Sequence, residues 1–369
     1  MHKPKTPTRL TRWVLVMAMV WLTSCASHQA IVTPYVAGEQ STSGVVYYLP
    51  KTQLRIHFVL SEEQFEPGAL VAYASRYLGE SYATQPTTRY QIERVAMHAH
   101  GVPDTMQSYL IESVATPSVE QLVSLTPEGL LYSLHGKAYK PTTTDYLADY
   151  PKEVTQQEAS QALPQEYALA TSRAKQAEVA SSRLFELRER RVELLSGQVE
   201  TMPCDGPALK MVLDGLDKEI AALQALFAGR TTKRYYEEIV DVPIDEPVSQ
   251  QVVARFAPQY GLVDKADLSG APIYISVEAL DHSTQQSDAE LHKLAKSKVL
   301  RYIEPGRARV SLQLPERSQA IMLELSVAQW GRTALLEHKL GADKLGQLPY
   351  TIYFDLTSGS IELIELPQQ

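Results

Sequence analysis

Cysteine is scarce in this chain, which has only Cys25 and Cys204 among its 369 residues. A fold held together by several disulfides is therefore excluded, and packing must stabilise it. The motifs HExxH, CxxC, GxSxG and GxxxxGK[ST] are also missing. Their absence disfavours the hydrolases and nucleotide enzymes that carry such motifs, and no cofactor is expected.

Long hydrophobic runs are missing as well. The apolar run near the N-terminus, Trp13 to Leu22, is roughly half of the ~20 residues that a helix needs to cross a bilayer. Four bases and no acid precede it, namely Lys3, Lys5, Arg9 and Arg12. This order predicts a signal peptide rather than a permanent transmembrane helix.

The sequence "LTSC", Leu22 to Cys25, resembles the lipobox of bacterial lipoproteins. The resemblance implies that cleavage leaves Cys25 first in the mature chain, with diacylglycerol on its sulfur and the membrane as its partner. Ala26 in the next position favours the outer membrane by the same resemblance. The alternative is a soluble secreted protein with a chance cysteine. If Cys25 is lipidated, Cys204 has no partner for an intrachain disulfide.

The charge of the mature chain is acidic. Removing four of the 35 bases with residues 1–24 leaves 31 bases against 43 acids, a net charge of −12. Such a balance argues against binding nucleic acid or anionic lipid by charge. The 20 tyrosines against six phenylalanines suit either exposed β faces or a surface that recognises protein or glycan.

The predicted fold class is α+β, with two mainly β modules flanking a long antiparallel helical hairpin. The predicted segments are a signal peptide at 1–24, a flexible tether at 25–43, an N-terminal β-rich module at 44–160, the hairpin at 164–230 and a C-terminal β-rich module at 231–369. The length is enough for about two domains.

Strand patterns support the two modules. Apolar residues alternate from Leu54 to Leu60 with the period of a half-buried strand, and Pro50 is expected to end the strand before it. After the helical segment, Lys233 to Pro243 reads as another strand, and Glu246 with Pro247 predicts a short helix that ends near Tyr260. The order resembles that of residues 54–79 and suggests two related modules.

Helical patterns fill the middle of the chain. Residues 165–196 contain no Pro or Gly, and Leu209, Leu213, Leu216, Ile220, Leu223 and Phe227 follow a heptad spacing. Gly197 suits a helix C-terminus, and Asp205 suits the N-cap of the next helix. Cys204 lies between them, and it could be a reactive thiol, an intermolecular crosslink or, as we favour, an incidental turn residue.

This helical region also carries a family resemblance. The stretch from Leu187 to Arg230 resembles the central signature of a domain-of-unknown-function family of lipoproteins from gut and oral anaerobes. The matching positions are Arg188, Arg191, Leu194, Leu195, Gly197, Asp205, Gly206, Ala208, Leu209, Lys210, Leu226, Phe227 and Gly229. The family has no assigned activity, so the resemblance implies an architecture and an envelope location, but no mechanism.

Two histidines complete the set of candidate site residues. His98 and His100 are two residues apart in "MHAHG", so they share one face of a strand, a spacing that zinc ligands can have. The alternative is a solvent-facing strand end, with Asp104 in a turn. From the long hairpin, the tyrosine content and the missing catalytic motifs we expect a non-catalytic binding or assembly subunit of the cell envelope, with the hairpin as its partner-binding edge. The alternatives are a glycan or peptide hydrolase whose carboxylates converge only in the fold, and a structural spacer with no ligand.

Overall fold

A computed structural model describes residues 30–36, 44–113, 122–151, 163, 165–198, 206–281, 286–315, 317–336 and 350–366. Cys25, Cys204 and Asp205 lie outside these residues. The strands are β1 Ala30–Pro34, β2 Val45–Glu66, β3 Thr87–Ser113, β4 Val123–Leu125, β5 Leu131–Leu134, β6 Arg230–Pro243, β7 Val248–Ala257, β8 Gly261–Val263, β9 Ala271–Asp281, β10 Arg301–Gln313, β11 Ile321–Leu335, β12 Thr351–Phe354 and β13 Ile361–Glu365. The helices are α1 Ala74–Leu78, α2 Gln165–Leu169, α3 Arg173–Ser196, α4 Gly206–Ala228 and α5 Asp288–Lys296.

The strands form three antiparallel sheets. The first has the order β1-β3-β2-β6, the second β11-β10-β9-β7-β8 and the third β13-β12-β5-β4. The strands β2 and β3 are 22 and 27 residues long, and they are the two longest strands of the first sheet. Strand β1 lies within the segment 25–43 that the sequence predicts as a tether.

The predicted architecture of two β modules flanking a long helical hairpin is wrong. Glu66 of β2 pairs with Arg230 of β6, so the strands before and after the helices are neighbours in one sheet. The third sheet also joins the two halves of the chain, because Leu134 pairs with Ile352. The chain is mainly strand, and its three sheets are shared between the proposed modules.

The physical reason is that strand pairing is not visible in local patterns. In the predicted strands at 54–60 and 233–243 the side chains alternate between the two faces of the sheet as expected, but this alternation does not identify the partner strand. Helices α3 and α4 lie in the chain between β2 and β6, two strands that are neighbours in the first sheet. The N-terminal part of α3 and the C-terminal part of α4 pack against α1 through Ala74, Ala177, Ala180 and Phe227. Leu184, Leu187 and Leu223 continue the contact between α3 and α4.

Local helix signals are confirmed where the structure describes them. Gly79 and Gly197 follow α1 and α3 with φ of 70° and 72°, the left-handed conformation that glycine adopts most easily. The seam on α4 lies on its less exposed side, although only Leu223 and Phe227 are buried. Gly68 is needed for close approach, because a Cβ there would lie 2.3 Å from the carbonyl oxygen of Leu226.

Two further local predictions are wrong. The chain does not end a strand at Pro50, because β2 continues through it with a shift of register to β3, as proline in a sheet requires. The helix predicted after Pro247 is strand β7, in which Ala254 and Phe256 point into the core with a period of two. The suggested repeat of two modules fails with it.

Two cores hold the sheets together. The larger lies between the first and second sheets, where Leu54, Ile56, Phe58 and Leu60 of β2 meet Phe256, Ile273, Ile275, Val310 and Leu312. The smaller lies beneath the third sheet and includes Tyr47, Leu134, Ile303, Ile352 and Phe354. Because one side of β2 is committed to the larger core, its other side is the outer face of the first sheet.

Candidate functional site

The outer face of the first sheet carries an unusual set of polar side chains. We call it the histidine face and define it by Arg55 and His57 of β2, His98 and His100 of β3, and Glu237 and Asp241 of β6. Strand register brings them together, since Arg55 lies between His98 and Asp241 across the sheet. The alternation along β2 that the sequence predicts puts Arg55 and His57 on this side.

His57 is the most buried member of the histidine face, with 8% of its surface exposed. Its Nδ1 atom lies within hydrogen-bonding distance of a carboxylate oxygen of Glu237. The ring of His98 stacks on it with 4.8 Å between centroids and 25° between planes. The Nε2 atom is buried and has no hydrogen-bond partner among the described residues. A buried imidazole nitrogen without a partner is costly, so this position needs an explanation.

A tyrosine-bearing segment covers His57. We call residues 145–151 the strap. Tyr146 lies over the imidazole of His57 with 4.4 Å between ring centroids, and Tyr150 lies 4.8 Å from the ring of Tyr235 on β6. Arg94 of β3 contacts the strap at two points. Its guanidinium lies 5.7 Å from the Tyr146 ring centroid and 3.5 Å from a carboxylate oxygen of Asp149.

Beyond the strap the histidine face opens to solvent. His98 and His100 are half-buried there. Burial lowers the pKa of both imidazoles, and electrostatic interactions with neighbouring groups, first with His57 for His98 and with Arg55 for His100, lower it further. The lowered pKa favours the neutral form of both side chains, in which each offers one hydrogen-bond donor and one acceptor.

Arg55 and Asp241 form a forked ion pair at the rim of the face. The Nε–Oδ1 and Nη2–Oδ2 distances are both 2.7 Å. The hydrogen bonds from Arg55 hold the pKa of Asp241 below its usual value. The pair fixes the two side chains in one plane beside His98 and His100, and so gives the rim a defined shape.

Within the described residues, His98 and His100 are the only candidate site residues that the sequence predicts. His98 and His100 do share a strand face, but they lie in the middle of β3 rather than at a strand end. Asp104 is also within β3, where its carboxylate accepts a hydrogen bond from the Met106 N–H. No group of three or more His, Cys, Asp or Glu side chains among the described residues could hold a metal ion.

The chain matches one family model. Residues 43–362 match a domain of unknown function, DUF4831. The chain belongs to this family. No curated protein and no solved structure matches the chain. The DUF4831 match includes the whole histidine face and the strap, while Cys25 and β1 precede it.

One crevice of the DUF4831 region lies away from the histidine face. It has room for about one water molecule, about 10 Å³, and Tyr48, Pro50, Leu131 and Phe354 contribute to its walls. Its single acidic side chain is Asp355, whose carboxylate accepts hydrogen bonds from the hydroxyls of Thr357 and Ser358. These bonds shape the turn between β12 and β13, so the carboxylate serves the turn.

His57, Glu237 and Tyr146 are the site residues that sequence reasoning missed. His57 and Glu237 are 180 positions apart, and no local motif joins them. Their contact depends on the register of β2 with β6, which places Glu237 opposite Val59 and diagonal to His57. The alternation on β2 could identify His57 as an outward residue, but not its partners.

Proposed function

We propose that the protein is a lipid-anchored component of a bacterial cell envelope, held in the outer membrane by acyl chains on Cys25, and that it is a non-catalytic binding or assembly subunit. The signal peptide and the lipobox at residues 22–25 support the anchor. Among the described residues, no helix combines the length and the apolar character needed to span a bilayer.

The observation that carries the binding role is the incomplete environment of His57. The Nε2 atom of His57, which has no partner in the described part of the chain, lies beside two half-buried imidazoles whose neutral form is favoured, and under an aromatic ring. Neutral imidazoles and a tyrosine ring are suited to hydroxyl and amide groups, which donate and accept hydrogen bonds without charge. The proposed partner is therefore a glycan or an uncharged stretch of protein chain that binds along the histidine face.

The anchor is tested by metabolic labelling with a fatty acid. The wild-type protein should incorporate the label, and the Cys25→Ser variant should not. A wild-type protein that remains unlabelled would refute the lipid anchor.

The binding role is tested by recovering the protein with its neighbours from membranes under native conditions. The double variant His98→Ala, His100→Ala should lose a partner that the wild type retains. The matched control is Arg307→Ala, Arg309→Ala, two changes on the outer face of the second sheet, which should retain it. If both double variants recover the same neighbours, the histidine face is not the binding surface.

The pairing of His57 with Glu237 favours one alternative, a glycan or peptide hydrolase. A carboxylate that holds Nδ1–H leaves Nε2 free to accept a proton, which is half of the arrangement that activates a nucleophile. In this alternative His57→Gln abolishes hydrolysis of envelope glycan or peptide by the purified protein. The binding proposal expects no hydrolysis above background in either protein.

A further inference from the structure

Helix α5 is a short, well-capped helix that lies exposed on the surface. Its N-terminus has a complete capping box, in which the Ser287 side chain accepts from the Glu290 N–H and the Glu290 carboxylate accepts from the Ser287 N–H. Nevertheless, none of its nine residues is buried. Leu291 on this helix is 49% exposed. A nine-residue helix with so little packing is marginal in water.

A buried arginine fixes the other end of α5. Arg301 is 3% exposed, and its Nη2 donates to the carbonyl oxygens of Leu294 at 2.7 Å and Ser297 at 3.3 Å. Its guanidinium also lies 4.4 Å from the ring centroid of Tyr109. The cation satisfies carbonyls that a helix C-terminus leaves free, and it holds the end of α5 against the first sheet.

The same end of α5 lies beside the start of the mature chain. The Val32 N–H of β1 donates to the Lys298 carbonyl at 3.0 Å. Only residues 26–29 separate Cys25 from Ala30 at the start of β1, so five Cα-to-Cα steps reach at most roughly 18 Å. An acyl group on Cys25 therefore keeps this corner of the protein close to the membrane surface.

The composition of α5 suits such a surface. Leu291, Leu294 and Ala295 lie on one side of the helix, and Lys293 and Lys296 lie on the other side. The two acids, Asp288 and Glu290, are in the first turn and the two lysines are in the last turn, with Lys298 just beyond the C-terminus. An apolar stripe with basic residues on the opposite side is typical of helices that lie in the membrane interface.

We propose that α5 is a second membrane contact, which docks on an anionic lipid surface beside the acyl chains of Cys25 through its lysines and its apolar side, although the chain as a whole is acidic. This inference rests on the lipid anchor of the proposed function. The acyl chains hold the protein at the membrane, and basic or apolar contacts next to them add to the attachment. Docking of α5 would also set the orientation of the protein, with β1 toward the lipid. The helices α3 and α4 leave the first sheet at the opposite end of β2, where Glu66 pairs with Arg230.

The test uses the full lipidated protein in vesicles of phosphatidylethanolamine and phosphatidylglycerol that contain a spin-labelled lipid. In a Cys204→Ser background, an environment-sensitive fluorophore is attached at Leu291→Cys. The matched control is Met211→Cys on α4, a position that is 77% exposed. The lipid-borne label should quench the fluorophore at position 291 and leave the one at 211 unquenched. Equal quenching at both positions, or none at 291, would overturn the proposal.

The basic residues are tested in the same vesicles. Lys296→Gln and Lys298→Gln should each lower the docking equilibrium of α5 by about fivefold, and phosphatidylcholine in place of phosphatidylglycerol should remove this difference. Quenching at 291 that survives both changes would overturn the electrostatic part of the proposal. Fatty-acid incorporation is measured on the same samples. A labelled protein with an unquenched 291 refutes only the docking of α5, whereas an unlabelled protein refutes the anchor itself.

Discussion

The outer faces of the first and second sheets use polar residues in opposite ways. On the second sheet, Arg309 pairs with Glu324 at 2.9 Å and lies 3.7 Å from Glu278. All three side chains are at least 40% exposed. On the first sheet, His57 is buried under Tyr146, and its Nε2 has no partner within the part of the chain that the structure describes. Exposed pairs keep a sheet face soluble and contribute little to stability, whereas a buried imidazole costs stability and must be supported by its neighbours.

The proposed binding role of the histidine face depends on this difference. The ion pairs of the second sheet match the cross-strand register, since Arg309 lies opposite both Glu278 and Glu324, and they are complete without any ligand. On the histidine face, the hydrogen-bonding groups of the residues satisfy one another only in part. The comparison can be tested by removing one support at a time from each face.

The largest effect is expected from Glu237→Ala. The change leaves the buried Nδ1 of His57 without its acceptor and should lower the free energy of unfolding by ~1–3 kcal/mol. The combined variant His57→Phe, Glu237→Ala replaces the imidazole with an apolar ring of similar shape and should recover most of that loss. Urea unfolding of the two variants measures both changes. A double variant that is less stable than Glu237→Ala would show that His57 gains its stability from something other than Glu237.

A smaller effect is expected from Tyr146→Ala, which removes the ring that covers His57. Loss of one aromatic contact should cost ~0.5–1.5 kcal/mol and should accelerate hydrogen exchange in residues 145–151. Tyr132→Ala is the control, because Tyr132 makes a comparable contact with Tyr353, with ring centroids 5.7 Å apart, in the third sheet. Equal exchange in the strap of both variants would mean that Tyr146 does not hold it.

A still smaller effect is expected from pH. The pKa values of His98 and His100 are lowered in the folded protein, so the unfolded chain binds more protons as pH falls below about 6.5. Stability is therefore fully present above that pH and declines as pH falls through it toward the folded pKa values. The variant His98→Asn, His100→Asn should show a flatter decline between pH 7 and 5 in unfolding experiments. An unchanged slope would locate the acid sensitivity elsewhere.

The smallest effect is expected from Glu324→Gln on the second sheet. Glu324 is 47% exposed where it meets Arg307 and Arg309, and solvent and salt screen such pairs. The midpoint of urea unfolding should move little, and the difference from wild type should vanish at high salt. A shift as large as that of Glu237→Ala would remove the distinction between the two faces.

Local structure could be predicted from the sequence because its signals are local. The alternation from Leu54 to Leu60 and the glycine at the end of α3 both appear as expected. The prediction of a helix after Pro247 is wrong because Glu-Pro is also compatible with the start of a strand. Strand β7 has the period of two that a helix lacks.

The architecture and the site could not be predicted in this way. Both depend on the pairing of β2 with β6, which are separated by the helices and by more than 160 residues. That pairing merges the two predicted modules into one sheet, and it also brings Glu237 to His57. His98 and His100 could be predicted as a pair because they are two residues apart in sequence, but His57, which stacks on His98, could not.

The binding role proposed for the histidine face has a direct test in living cells. A photo-crosslinking amino acid is placed at His100, on the open part of the face, and in a second strain at Arg307, which is 60% exposed on the second sheet. The account predicts one defined crosslinked product from position 100 that disappears when His98→Ala is added, and no such product from position 307. The same products from both positions, or none from position 100, would contradict it.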